Sequence, residues 1–314
     1  MDSPLIRLAM DNAKIIIGTL KAIQFKDLAT VFATANGLKV TVEDAKCIQG
    51  NAFLQGALFR EYHLKKDIIS FKININVLID CLSMFGTSVS GSPTSLVLTY
   101  KEFGGTLDLL LEENGVVAEC NIRTMEAFEI LDFDFLNNKS SDKVILKSEC
   151  MREAFNELDM TSEVLELTLL PPPATQPRIR LTTYGLAGTT HFDLPRSSDQ
   201  VEVFESSSES PRVARYRLSL LRSATSRVLA MACRISLRIN DRGFLSMQHM
   251  INLPDGQAAF VEFFCVPDEE EDDESTTQGS QKSSSNIEVP SSSGALSASS
   301  TRRQQAVLEQ EWSD

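Results

Sequence analysis

The carboxylates ahead of residue 268 that are grouped closely enough to be weighed for hydrolytic chemistry are Asp132 with Asp134, and Asp108 with Glu112 and Glu113. Metal-assisted phosphodiester hydrolysis needs three or four such groups converging on two ions roughly 4 Å apart. No His or Lys completes either group at a telling position, and His63, His191 and His249 are isolated from one another. No phosphate-cradling glycine loop, nucleophile elbow or metal-spaced His/Cys motif occurs. Six cysteines (Cys47, Cys81, Cys120, Cys150, Cys233, Cys265) are scattered without a Cys-x-x-Cys pair, mostly in apolar runs. They read as reduced, buried thiols of a cytosolic or nuclear protein. No catalytic residue, metal or cofactor is expected.

The cations are more informative. Lys14 and Lys21, seven apart, share one helix face. Arg222, Ser223, Ser226 and Arg227 form a second polar face, within a window (212–238) that holds seven arginines and no acid.

The elements that must carry these residues follow from hydrophobic period. A strand at 5–9 leads through Asp11-Asn12, a capping signal, into a helix with Ala13, Ile16, Leu20 and Ile23 on its apolar stripe. Strands are predicted at 27–34 and 38–43 around an Asn36-Gly37 turn, then at 52–62 and 67–73. A helix from about Asn76 buries Leu78, Cys81, Leu82 and Phe85, and strands at 94–101, 105–112 and 115–123 follow. The order then recurs. A strand at 143–147 precedes a helix capped by Ser148, with Met151, Ala154, Phe155 and Leu158 inward. Strands are predicted at 163–170, 177–184, 188–194, 200–205 and 212–218, a helix from Ser219 to Ala230, and strands at 232–239, 243–251 and 258–266.

Corresponding helices lie roughly 140 residues apart, a domain-sized duplication. Antiparallel sheets with helices on one side make an α+β fold. The expected organisation is a first domain over 1–124, a linker over 125–142, a second domain over 143–267 and a disordered tail over 268–314. In the linker, acids alternate with Ile130, Leu131, Phe133 and Phe135.

Length and charge set further bounds. The chain has 314 residues, 42% hydrophobic, and no apolar run of about 18 residues, so no membrane span is expected. Net charge is −13; eleven acids and three bases from Asp268 onward contribute −8, leaving −5 on residues 1–267. Residues 268–274 are seven acids in a row, and Ser-rich sequence without period follows. A terminal segment, 306–312, holds the single tryptophan and is the tail's one candidate docking element.

The duplicated order, the linker and the acidic end resemble the sliding-clamp fold of the PCNA type over about residues 3–267. Two stretches are similar to the Rad-one family of checkpoint-clamp subunits. The first is Cys47-Ile48-Gln49-Gly50-Asn51-Ala52-Phe53-Leu54-Gln55 with Leu58-Phe59-Arg60-Glu61-Tyr62. The second is Phe71-Lys72-Ile73-Asn74 leading into Leu78-Ile79-Asp80-Cys81-Leu82.

This resemblance implies a nuclear, non-catalytic subunit of a heterotrimeric ring around duplex DNA, with two other clamp subunits as partners. A clamp loader would open the ring at primer–template junctions, and the loaded ring would recruit repair enzymes and a checkpoint kinase activator. Its four helices would line the hole. Lys14, Lys21, Arg152, Arg222 and Arg227 are then the expected DNA-facing cations, since phosphate contacts independent of sequence permit sliding. Glu149, Glu153 and Glu157 on the third helix and Asp80 on the second oppose them. Ring closure would pair edge strands, with Val117, Ala118, Cys120 and Ile122 on one and Thr189, His191 and Asp193 on the other.

Ile130, Leu131, Phe133 and Phe135 would pin the linker or wall a groove for partner peptides. Glu43 falls where the homotrimeric clamp carries an apolar residue in a central loop. The segment 257–264 looks like a clamp-binding peptide but reads as strand core, since it follows a Pro254-Asp255-Gly256 turn. Two alternatives are kept: a homotrimeric processivity clamp, and a metal-dependent 3′–5′ exonuclease, an activity described for members of the family.

Overall fold

The protein is represented by a computed structural model that describes residues 3–87, 91–127, 135, 141–172, 175–186, 188–206, 208–252 and 258–268. The first half runs β1 (Ile6–Met10), α1 (Lys14–Ala22), β2 (Leu28–Thr34), β3 (Gly37–Asp44), β4 (Ile48–Gln55), β5 (Glu61–Leu64) and β6 (Ile68–Asn74). It continues with α2 (Ile75–Leu82), β7 (Ser95–Tyr100), β8 (Thr106–Glu113) and β9 (Val116–Arg123). The second half runs β10 (Ser141–Lys147), α3 (Ser148–Glu157), β11 (Val164–Leu170), β12 (Arg178–Gly185), β13 (Gly188–Pro195) and β14 (Val201–Glu205). It ends with β15 (Arg212–Arg217), α4 (Leu218–Met231), β16 (Arg234–Asn240), β17 (Leu245–Asn252) and β18 (Ala258–Cys265). Both halves have the same order.

Three antiparallel sheets result. Their strand orders are β5-β1-β7-β8-β9, β14-β10-β16-β17-β18-β4-β3-β2-β6 and β13-β12-β11-β15. The nine-stranded sheet joins the halves, because β18 pairs with β4 from Phe260↔Phe53 to Cys265↔Ile48. That seam depends on a missing side chain. A Cβ on Gly50 would lie 2.8 Å from Phe263 and 2.9 Å from Phe25, so only glycine lets the fully buried Phe263 ring cover β4.

The helices form one row. α1 packs between α2 and α4, and α3 packs on α4. The stripes that hold down the first three are those read from period, Ile16 and Leu20 of α1, Leu78 and Leu82 of α2, and Met151 and Phe155 of α3; Leu221 and Val228 do the same for α4, and all are buried.

Local chemistry departs from the sequence reading at a few points. The strand expected over 52–62 is two strands, because a 3-10 turn at Gly56–Leu58 interrupts it. Ser148 does not cap α3. It is the first helical residue, and its hydroxyl donates to Leu229 O of α4 at 3.3 Å, a tie between helices. At α2, Asn74 is the cap, accepting from the amides of Asn76 and Val77. Glu43 lies in β3 rather than a loop, accepting from Gln49 Nε2 at 2.7 Å.

Candidate nucleic-acid and subunit interfaces

The helix row decides which predicted cations reach solvent. Lys14 does not. It is 4% exposed, and its ammonium donates to Ser92 O at 2.7 Å and pairs with Glu113 at 2.9 Å. The segment entering β7 and the end of β8 thus close over the first turn of α1 and neutralise the lysine. Its expected DNA-facing role is corrected: period puts Lys14 on the polar face of α1, but a neighbouring strand covers that face at its N-terminal end. Glu113 is held below the usual carboxylate range by the Thr94 hydroxyl and then by Lys14. Lys21, two turns on, is half-buried at the other end of the helix.

The arginine-rich window divides in the same way. Arg212 pairs with Asp142 at 2.5 Å, Arg215 with Glu166 at 2.9 Å, Arg217 with Asp268 at 3.1 Å and Arg234 with Glu202 at 3.1 Å. Arg238 lies near the buried Glu262. Acids absent from the window are therefore supplied by β10, β11, β14 and the residues that follow β18. Arg222 and Arg227 differ. The Arg222 guanidinium lies against the Met160 sulfur, and the exposed Arg227 donates to the Gln24 carbonyl at 2.7 Å and to its side-chain oxygen. Among the described residues, no acid pairs with either. Arg152 of α3 is half-exposed and paired within its own helix to Glu149 at 3.1 Å.

Both candidate closure strands lie at sheet edges, β9 ending the five-stranded sheet and β13 the four-stranded one. On β9 the side chains alternate. Val117 is exposed and Ala118 half-exposed, whereas Cys120 and Ile122 are buried. The last two point into the core, so at this edge they offer a neighbouring strand their backbone groups and not their side chains. On β13, Thr189, His191 and Asp193 are exposed. His191 is within 3.0 Å of the Thr182 hydroxyl. Asp193 takes a two-pronged contact from Arg180 at 2.6 and 2.7 Å, which holds its carboxyl below the ordinary range.

Of the linker residues, Ile130, Leu131 and Phe133 lie outside the described residues. Phe135 is buried and packs on Phe264 of β18, ring centroids 5.6 Å apart, so it pins the connection to the nine-stranded sheet. At the other end, Met125 and Lys72 exchange backbone hydrogen bonds of 2.9 Å.

Of the carboxylates weighed for hydrolysis, Asp108 and Glu113 are occupied. Asp108 accepts from Lys101 at 2.8 Å, Thr106 at 2.7 Å and Asn121 at 2.8 Å. Burial pushes its pKa up, and these three donors outweigh that and hold it down. Glu113 is bound to Lys14. Asp132 and Asp134 lie outside the described residues. Among the described residues, no three His, Cys, Asp or Glu side chains converge as a metal site.

One titratable group gave no sequence signal beyond isolation. His249 of β17 is fully buried, edge-on to Phe263 at 5.6 Å, with neither ring nitrogen hydrogen-bonded. Burial lowers its pKa from 6.5 to about 3. Its place in an alternating strand, Leu245 to Ile251, was the one available clue.

A model of the repair protein Rad1/Rec1/Rad17 family matches residues 7–251. The chain belongs to that family. The cell cycle checkpoint protein RAD1 of Homo sapiens is 49% identical over 262 residues, 83% of this chain and 91% of that protein. The protein named DNA repair exonuclease REC1 of Mycosarcoma maydis is 27% identical over 227 residues, 57% of this chain and 49% of its own length. Among solved structures, PCNA from Thermococcus kodakaraensis superimposes with a TM-score of 0.66 at 14% identity, covering 84% of this chain and all of that one. A PCNA2–PCNA3 complex from Sulfolobus tokodaii gives 0.64 at 16% identity, over 83% and 98%. The fold is that of the sliding clamps, as the duplicated element order implied, and the family is one of checkpoint and repair proteins.

Proposed function

We propose that this protein is a non-catalytic subunit of a heterotrimeric checkpoint ring that encircles duplex DNA in the nucleus. The observation that carries this reading is architectural. A single row of four helices, α2-α1-α4-α3, backs onto sheets whose terminal strands β9 and β13 are both open to pairing. Backbone N–H and C=O groups at such edges are a ready template for a strand from a neighbouring subunit, and two edges per subunit close a ring.

The inward cations of this chain are few: Lys21, Arg222 and Arg227, with Arg152 offset by Glu149. A ring held by topology needs only weak phosphate contacts, and weak contacts let it slide. Once loaded at a primer–template junction, such a ring serves as a platform for repair enzymes and a kinase activator. The exonuclease named among the relatives makes hydrolysis the second reading; against it, Asp108 and Glu113 already have partners.

The test is co-expression with two candidate clamp subunits and measurement of the mass of the purified species. The expected result is a monomer alone and a one-to-one-to-one complex together. A trimer of this chain alone would make it a homotrimeric clamp. DNA degradation by the pure monomer with added Mg²⁺ would make it a nuclease. Nuclear import alongside the partners is tested by deleting the Arg302-Arg303 pair and following the chain's location.

A further inference from the structure

The described residues end on the first member of the seven-acid run, and that residue is already seated on a basic surface. Asp268 N–H donates to Arg215 O at 2.7 Å, and its carboxylate accepts from Arg217 Nε at 3.1 Å. Just before it, Val266 N–H is tied to Cys47 O at 2.9 Å, so the exit path is held from both sides. Arg217 is the residue that enters α4.

That end of α4 suits negative charge. Its first turn contains no acid and Arg217 offers no side-chain cap, so most of its first amides are left to a ligand or water. Among the described residues, the Leu218 amide donates to Glu163 O at 2.9 Å. Glu166 is engaged by Arg215. Arg217 is engaged by Asp268, so the charge that favours the acids after it is that of Arg222 and Arg227, with which no described acid pairs, together with the helix dipole.

We infer that the acidic segment 269–274 docks within its own chain on the N-terminal half of α4, covering Arg222 and reaching Arg227, in competition with DNA phosphates. Reach permits it. Arg222 lies five residues and Arg227 ten residues along the helix from Arg217, about 7.5 and 15 Å, and six extended residues span about 20 Å. The tether supplies the rest: a segment joined directly to its site acts at an effective concentration in the millimolar range, enough for several screened ion pairs to hold it. The acids thus act as a built-in phosphate mimic. The competition rests on the ring reading above; the docking itself does not.

The experiment uses the full chain and a variant with Glu269→Gln, Glu270→Gln, Glu271→Gln, Asp272→Asn, Asp273→Asn and Glu274→Gln. First, without DNA, the rates at which an arginine-selective dicarbonyl modifies Arg222 and Arg227 are compared by mass spectrometry. In low salt the variant should react faster, on the order of fivefold to tenfold, the sum of two or three exposed ion pairs. The difference should vanish at about 1 M salt, where the Debye length is about 3 Å. Equal rates in low salt overturn the proposal, wherever else the tail goes. Second, binding of the same two proteins to a short DNA duplex is compared. Protection with tighter binding by the variant supports both docking and competition. Protection with no change in DNA binding keeps the docking and removes the DNA-facing assignment of α4.

Discussion

Replacing Lys21 and Arg227 together by alanine, and Lys14 alone by alanine, separates two fates of cations on one helix row. Each phosphate neutralised on duplex DNA contributes about −0.9 to the slope of log K against log salt. Arg227 has only the neutral acceptors of Gln24, and Lys21 has no ion pair among the described residues. If both meet phosphates, the double variant of the assembled ring should show a slope shallower by up to about 1.8. Between about 50 and 200 mM salt, a slope difference of 1.8 amounts to about a twelvefold smaller loss of affinity. Lys14→Ala should leave the slope unchanged, because its charge is spent on Glu113 and Ser92 O inside the protein. It should instead lower the melting temperature, since Glu113 keeps its charge and Ser92 O loses its donor. The assay is titration of a fluorescent primer–template duplex at four or five salt concentrations, with melting curves on the same proteins. A slope that falls as much for Lys14→Ala as for the double variant, with melting unchanged, would refute the reasoning from burial.

Other expectations follow from the same geometry. His249→Leu should flatten the acid side of the stability curve. The unfolded imidazole protonates near 6.5 and the buried one near 3, so the unfolded state binds more protons between those values. Wild-type stability, complete above 6.5, should therefore fall by up to about 1.4 kcal/mol per pH unit below it; equal acid midpoints for the two proteins would count against this, by urea unfolding at several pH values. Val117→Lys should leave the monomer's stability within about 0.5 kcal/mol, because the side chain is exposed, yet weaken ring assembly measured by native mass. Ile122→Lys, five residues along β9 and so on the inward face, should instead prevent folding. Phe263→Ala should cost about 3–5 kcal/mol by denaturant unfolding, and Gly50→Ala should also destabilise, since both disturb the β4–β18 seam between the halves.

The elements were legible because their signals are local. Ile16 and Leu20, or Met151 and Phe155, declare a helix stripe by their spacing alone, and the Asn36-Gly37 turn declares a hairpin. The recurrence of the whole order across the chain made the duplication readable, and its resemblance to the sliding clamps supplied the architecture without a single catalytic motif. The boundaries that failed, such as 52–62, failed where a short 3-10 turn carries no strong breaker beyond Gly56.

The fate of each charge was not local. Lys14 meets the carbonyl of a residue 78 positions away, and Arg212 meets Asp142 70 positions away. An arginine window without acids is basic only in one dimension; distant segments deliver carboxylates to most of it, Asp142 of β10 to Arg212, Glu166 of β11 to Arg215 and Glu202 of β14 to Arg234. Whether Cys120 or Val117 faces a neighbour depends on which side of the five-stranded sheet the core occupies, and edge status depends on which strand lacks a partner. Periodicity along the chain therefore determined the fold, whereas pairing between distant strands decided which cations and which edges remain available to DNA and to other subunits, because ion pairs and sheet edges exist only between segments.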